Sequence, residues 1–232
     1  MCGIAGFFNA PGSREEHPAW IQGMIDPLAH RGPDDQGLWL GDGGALGHRR
    51  LSIIDLQGGH QPLSDALNRA VVVFNGEIYN FAELRRDLEQ KGYCFKTRSD
   101  TEVLLNAYLD QGPRCLDSLE GMFAFAIWHR PTRTLFAARD RMGKKPFYYT
   151  LQNGVFAFAS ELSALQRLPL LNLEIDWSNL VRFLAYEYVP TPHSIYHQVH
   201  KLRPGHFLQF SQGSLHTAPY WEIPAPSPEL NL

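Results

Sequence analysis

Cysteine is scarce in this chain: Cys2, Cys94 and Cys115 are the only three in 232 residues. An odd, sparse set with no CxxC pair excludes a disulfide scaffold and points to a reducing compartment, read here as the cytoplasm. Charge is nearly balanced, with 21 basic against 24 acidic residues and a net of -3. That balance gives no electrostatic ground to expect nucleic acid or an anionic membrane as partner. No apolar run approaches the roughly 18 residues of a membrane span, and no basic stretch leads into an apolar signal segment. No GxxxxGK[ST] loop occurs, and no internal repeat. What is present is a 44% hydrophobic, 19% charged composition, enough for an ordinary α/β or α+β core. The length suits one domain, or one with a short extra segment.

Strand signals dominate. Ile4 to Phe8 is short, apolar and aromatic, and a core strand there would tie down the terminus. Gly37 to Leu40 and Ala45 to Ile54 follow, about a turn at Gly43-Gly44, and Val71 to Phe74 is β-branched enough for an inner strand. Met122–Trp128, Thr134–Ala138, Phe147–Thr150 and Val155–Ala159 form a strand-rich centre. Within it, Asn153-Gly154 is the strongest hairpin turn signal. Asn80 with Glu83, and Ser99 with Glu102, are spaced as capping boxes and predict helices up to Gly92 and Gly112. Asp176–Tyr186 reads as a further helix, with Leu180, Phe183 and Leu184 on one face. Phe207–Phe210 and Leu215–Trp221 read as a hairpin across Gln212-Gly213. Strands grouped between helices imply layered sheets with outer helices; which strands pair is not given by their order.

Cys2 carries the chemistry. Once Met1 is removed, one residue holds a thiol and a free α-amine. The amine's ordinary pKa, about 7.7–8.0, leaves an unprotonated fraction at neutrality. Such an amine can act as general base for its own thiol, with no histidine needed. Cys94 and Cys115 can never carry that amine.

An ordered set of motifs accompanies it: Met1-Cys2-Gly3-Ile4-Ala5-Gly6, His30-Arg31-Gly32-Pro33-Asp34, His48-Arg49-Arg50-Leu51-Ser52-Ile53, Asn75-Gly76-Glu77-Ile78-Tyr79-Asn80, Ser99-Asp100-Thr101-Glu102 and Arg139-Asp140-Arg141-Met142-Gly143. Together they resemble the glutaminase domain of the glutamine-dependent asparagine synthetases. These are class II glutamine amidotransferases within the N-terminal-nucleophile hydrolases. The likeness is dense over residues 1–165 and thinner through Leu202-Arg203-Pro204-Gly205. It implies an α+β fold, a four-layer α-β-β-α sandwich with two facing, mainly antiparallel sheets. A glutaminase domain over 1–215 would precede a proline-rich linker, or the start of a further domain, at 216–232.

The resemblance also implies roles. Cys2 would be the nucleophile, forming a γ-glutamyl thioester. Asn75, through its side-chain amide, and Gly76, through its backbone N–H, would form the oxyanion hole. Arg50 would pair with the α-carboxylate of glutamine, and Glu77 and Asp100 would hold the α-ammonium. Independently, an amino-acid amide calls for a guanidinium fork, carboxylates and paired donors. Arg49 and Arg50 would face opposite ways in a strand; if the register is shifted by one, the carboxylate role passes to Arg49. Neither a cofactor nor a metal is expected at this centre: His30 and His48 lack zinc spacing, and His193, His197, His200 and His206 read as surface or packing residues.

In the resembled synthetases a C-terminal domain adenylates aspartate with ATP and Mg2+, through a Ser-Gly-Gly-x-Asp-Ser loop that this sequence does not contain. The chain is therefore expected to hydrolyse glutamine without completing amide transfer, as a fragment or an isolated domain. Expected partners are glutamine, a synthetase domain in cis or in trans, and a second copy of the chain as a homodimer. The alternatives are a class II amidotransferase with another acceptor and a catalytically silent partner-binding domain. The His48–Leu56 and Gln61-Pro62-Leu63 stretches, in place of a Thr-His-Gly element, point to the asparagine synthetase branch.

Overall fold

The computed structural model describes residues 1–12, 15–41, 43–53, 55–56 and 58–224. Its strands are β1 (Gly3–Phe8), β2 (Asp35–Gly41), β3 (Gly44–Arg50), β4 (Leu63–Ser64), β5 (Ala70–Ile78), β6 (Gly121–His129), β7 (Thr134–Arg139), β8 (Tyr148–Gln152), β9 (Val155–Ala159), β10 (His200–Lys201), β11 (His206–Ser211) and β12 (Ser214–Pro219). Its helices are α1 (His17–Ile25), α2 (Phe81–Gln90), α3 (Asp100–Gln111), α4 (Cys115–Ser118), α5 (Leu162–Leu165) and α6 (Trp177–Tyr186). One sheet has the order β10-β8-β9-β1-β3-β2 and the other β12-β11-β7-β6-β5-β4. Every pairing within them is antiparallel.

Alternation along the strands builds the layers. In β1, Ile4 and Phe8 enter the core between the sheets, while Ala5 and Phe7 pack outward with Ile21, Met24 and Ile25 of α1. In β5, Val71 and Val73 face the other sheet, while Val72 and Phe74 pack with Val103 and Leu104 of α3. The two sheets meet through stacked aromatic pairs, Phe8 on Trp128 at 4.4 Å and Phe156 on Phe210 at 4.9 Å. Among the described residues no helix is long and apolar enough to cross a membrane.

Several sequence expectations change in detail. Asn80 stands at the start of α2 but makes no side-chain cap. Its amide instead donates to Ser118 O at 2.9 Å and accepts from Glu120 N at 3.1 Å. A carboxamide carries both donor and acceptor, so clamping the loop into β6 competes with capping a helix. Ser99 does cap α3, accepting from Glu102 N at 3.3 Å. The Glu102 carboxylate, however, takes Lys96 N, Thr97 N and the Thr97 hydroxyl rather than closing the box. Strand β3 ends at Arg50, short of the expected Ile54, which lies outside the described residues. Beyond Arg50 the Ser52 N–H donates to Asp34 Oδ2 at 2.8 Å, taking the chain off the ladder. The boundary expected at 215 falls inside β12, whose ladder with β11 runs from Ser211↔Ser214 to His206↔Pro219. Tyr220 then donates its hydroxyl to Arg139 O at 2.9 Å, so residues 216–220 belong to the packed unit. The rest of the expected linker, 225–232, lies outside the described residues.

Candidate active site

One cavity of about 170 Å3 opens where β1 begins, β3 ends and β5 runs past β4. Strand parity decides which side chains reach it. In β3, Leu46 belongs to the inter-sheet core, so His48 and Arg50 point the same way. Arg49 points outward, donating to Ile25 O and pairing with Asp26 at 3.0 Å. In β5, Asn75 and Glu77 share the face of Val71 and Val73. Cys2, Arg50, Asn75, Gly76, Glu77 and Asp100 all line this cavity.

The edge of β5 explains how donors come to be free there. Strand β4 pairs only with Val71 and Val72, so the edge-facing groups beyond need other partners. Phe74 N–H donates to Gln61 Oε1 at 2.7 Å, and Ile78 N–H donates to Asp100 Oδ2 at 3.1 Å. Between them, Gly76 N–H has the same parity and turns to the cavity side. A Cβ on Gly76 would come within 2.3 Å of Met122 O, so the close approach of β6 requires glycine. Next to it, Asn75 is 1% exposed, and its Nδ2 is buried without a hydrogen-bond partner among the described residues. Buried amide donors are rarely left unpaired.

Arg50 and Asp100 are held by backbone partners. Arg50, 6% exposed, donates from Nη2 to Asp55 O at 2.7 Å and from Nη1 to Leu56 O at 3.2 Å. Gly59 makes room for that guanidinium, since a Cβ there would lie 2.2 Å from Nη2. Burial pushes the Asp100 carboxyl up to about 6, with the Glu77 charge adding to it and the Ile78 and Thr101 N–H groups opposing. Burial likewise raises the Cys2 thiol above its ordinary value, against the pull of the amino terminus, Arg50 and Lys145. The thiol donates weakly to Leu51 O at 3.7 Å. Among the described residues no group of three or more His, Cys, Asp or Glu could hold a metal ion.

Residues 1–221 match the model of the glutamine amidotransferase domain family. Over 207 residues the chain is 42% identical to glutamine-hydrolyzing asparagine synthetase 1 of Bacillus subtilis (strain 168), covering 88% of this chain and 33% of that protein. Over 226 residues it is 37% identical to asparagine synthetase 3 of the same organism, covering 96% of this chain and 37% of that one. The chain belongs to the class II glutamine amidotransferases. It is a catalytic module of the glutaminase type, related to the glutamine-hydrolysing asparagine synthetases, and it spans about a third of the length of those curated relatives. Its fold matches a solved glutamine phosphoribosylpyrophosphate amidotransferase of Bacillus subtilis, with a TM-score of 0.70 and 21% identity over 96% of this chain and 50% of that one. That likeness and the sheet topology bear out the expected α+β sandwich.

The amidotransferase domain also uses residues to which the sequence had assigned no role. Arg31 donates from Nε to Cys2 O at 3.0 Å and from Nη1 to Glu161 at 2.8 Å, holding the start of β1 in place. Its motif was visible, but Glu161 lies 130 residues away, so the pairing was not. Lys145, 6% exposed, lines the cavity. Gln61 reaches both Phe74 N and the Thr101 hydroxyl. Asp55 shapes the loop over Arg50 by accepting from Gly58 N and Arg98 N, which holds its carboxyl below the usual range.

Proposed function

We propose that this domain hydrolyses glutamine to glutamate and ammonia through a thioester on Cys2. The observation that carries the reading is the orphaned, buried Asn75 Nδ2 beside the cavity-facing Gly76 N–H, in one cavity with Cys2. Two neighbouring donors beside one cavity suit an oxyanion better than a neutral carbonyl.

In this reading the active form begins at Cys2. Its α-amine takes the thiol proton, and the sulfur attacks the side-chain carbonyl carbon of glutamine. The carbonyl oxygen becomes an oxyanion held by Asn75 and Gly76. The protonated amine returns its proton to the departing nitrogen, releasing ammonia. Water, with the amine again as base, cleaves the thioester to glutamate. Burial of the thiol suits this division, since a thiol kept neutral needs a local base at the moment of attack. Arg50, already oriented by the Asp55 and Leu56 carbonyls, offers its guanidinium to the α-carboxylate, and Glu77 with Asp100 receives the α-ammonium. The ammonia would serve an asparagine-synthetase type of reaction on a synthetase domain that uses ATP and Mg2+, in cis or in trans.

The test is glutaminase assay coupled to intact mass. Protein lacking Met1 should release ammonia from glutamine without ATP, and Cys2→Ala should not. Full activity in protein that retains Met1 would overturn the mechanism. No release from protein with Cys2 at its terminus would favour a silent partner-binding domain.

A further inference from the structure

His48 stands outside the roles assigned above, yet it is 0% exposed and joins the two sheets through Phe74, which lines the cavity. On its own sheet it pairs with Ile4 of β1, two residues from Cys2, and lies two residues before Arg50. Across the inter-sheet gap its Nε2 meets Phe74 O at 3.1 Å. The carbonyl acceptor requires the proton on Nε2, which leaves Nδ1 bare, and Nδ1 is indeed buried with no partner among the described residues. Burial keeps the ring neutral, lowering its pKa to about 4, with the Arg50 charge acting the same way.

The Phe74 carbonyl belongs to the peptide that leads into Asn75. At this edge β4 no longer pairs with β5, so side chains replace the missing strand: Gln61 on the Phe74 N–H and His48 on its C=O. Without the histidine donor the buried carbonyl would be left unsatisfied, which is costly in a water-excluded site. The peptide would then be free to tilt, carrying the Asn75 carboxamide with it. We propose that His48 is a positioning residue for the oxyanion donors, its Nε2–H on Phe74 O setting where the Asn75 carboxamide stands relative to Cys2. The inference rests on the glutaminase reading above.

The experiment is a double-mutant cycle on the full chain with Cys2 at its terminus. His48→Phe keeps a ring and removes the donor; His48→Gln keeps an N–H near the Nε2 position. His48→Phe should lower kcat by about 10- to 100-fold, as expected for a displaced reacting group, while KM changes less than about threefold. His48→Gln should recover most of kcat. In an Asn75→Ala background, His48→Phe should add little further loss, because the group it positions is gone. Equal losses with and without Asn75 overturn the positioning role, as does a His48→Gln variant no better than His48→Phe. If Asn75→Ala itself leaves kcat unchanged, the oxyanion reading fails first and separately. Should His48→Phe not fold, 15N-histidine NMR of the wild-type protein reads the same bond. A glutamine analogue with an aldehyde in place of the carboxamide adds the Cys2 thiol across its C=O and fills the hole. The His48 Nε2 resonance should shift on its addition, and an unmoved resonance overturns the proposal.

Discussion

At the residue scale the cavity is a set of polar groups held at odds with their surroundings. Asn75 is the plainest case, a buried donor with no acceptor among the described residues. Asn75→Ala should lower glutamine turnover by roughly 100- to 1000-fold with a small change in KM, since the donor serves the transition state more than the ground state. Steady-state kinetics decide it; a large rise in KM at unchanged kcat would assign Asn75 to the head group. Asp100 is costly in another way, its carboxyl being raised to about 6 mainly by burial. The folded protein therefore holds a proton that the unfolded chain releases near pH 4, so stability contributed here falls as pH rises from about 4 to 6. Asp100→Asn should remove that penalty, worth about 3 kcal/mol at pH 7 and almost nothing at pH 3.5. Thermal melts should show the variant gaining Tm at neutral pH and losing substrate affinity, while an equal gain at both pH values would contradict the burial account.

At the scale of elements, pattern and contact diverge most at helix starts. Strands were legible because alternation and turn residues are local: Asn153-Gly154 and Gln212-Gly213 both adopt positive φ at tight hairpins. Helix α1 was not read, since Pro18, Gly23 and apolar residues on all sides blur its period, and its start has no side-chain cap. The spacing of Asn80 to Glu83 fits a cap, but the loop at 118–120 takes its carboxamide instead. Asn80→Ala should therefore destabilise the domain by about 1–2 kcal/mol through loss of these two bonds. Denaturant unfolding measures this, and hydrogen exchange should quicken at Glu120 rather than at the first turn of α2. Exchange quickening only in α2 would restore the capping role.

For the whole molecule, the inter-sheet core is what makes one unit of two sheets. Phe8 is 1% exposed and stacks on Trp128 of the opposite sheet. Phe8→Ala should cost about 3–5 kcal/mol, the range for emptying a large buried aromatic site. Unfolding should stay a single transition, because the described inner-face residues of the two sheets form one shared core. Two separate transitions by calorimetry would show that the sheets are held independently.

The order of motifs, read alone, nominated Cys2, Arg50, Asn75, Gly76, Glu77 and Asp100 as candidates, because each sits in a short contiguous segment, and the fold gathers all six around one cavity. Alternation along the strand put Arg49 and Arg50 on opposite faces, and only the fold showed that Arg50 is the one facing the cavity. What only the tertiary structure decided was how those segments complete one another. Gln61 and His48 come from 13 and 26 residues away to replace a missing strand at Phe74, Asp100 crosses from a helix to Ile78, and Glu161 reaches back to Arg31 and the start of β1. Such contacts depend on where an edge strand stops pairing, and that is set by the packing of whole sheets rather than by any local run of residues.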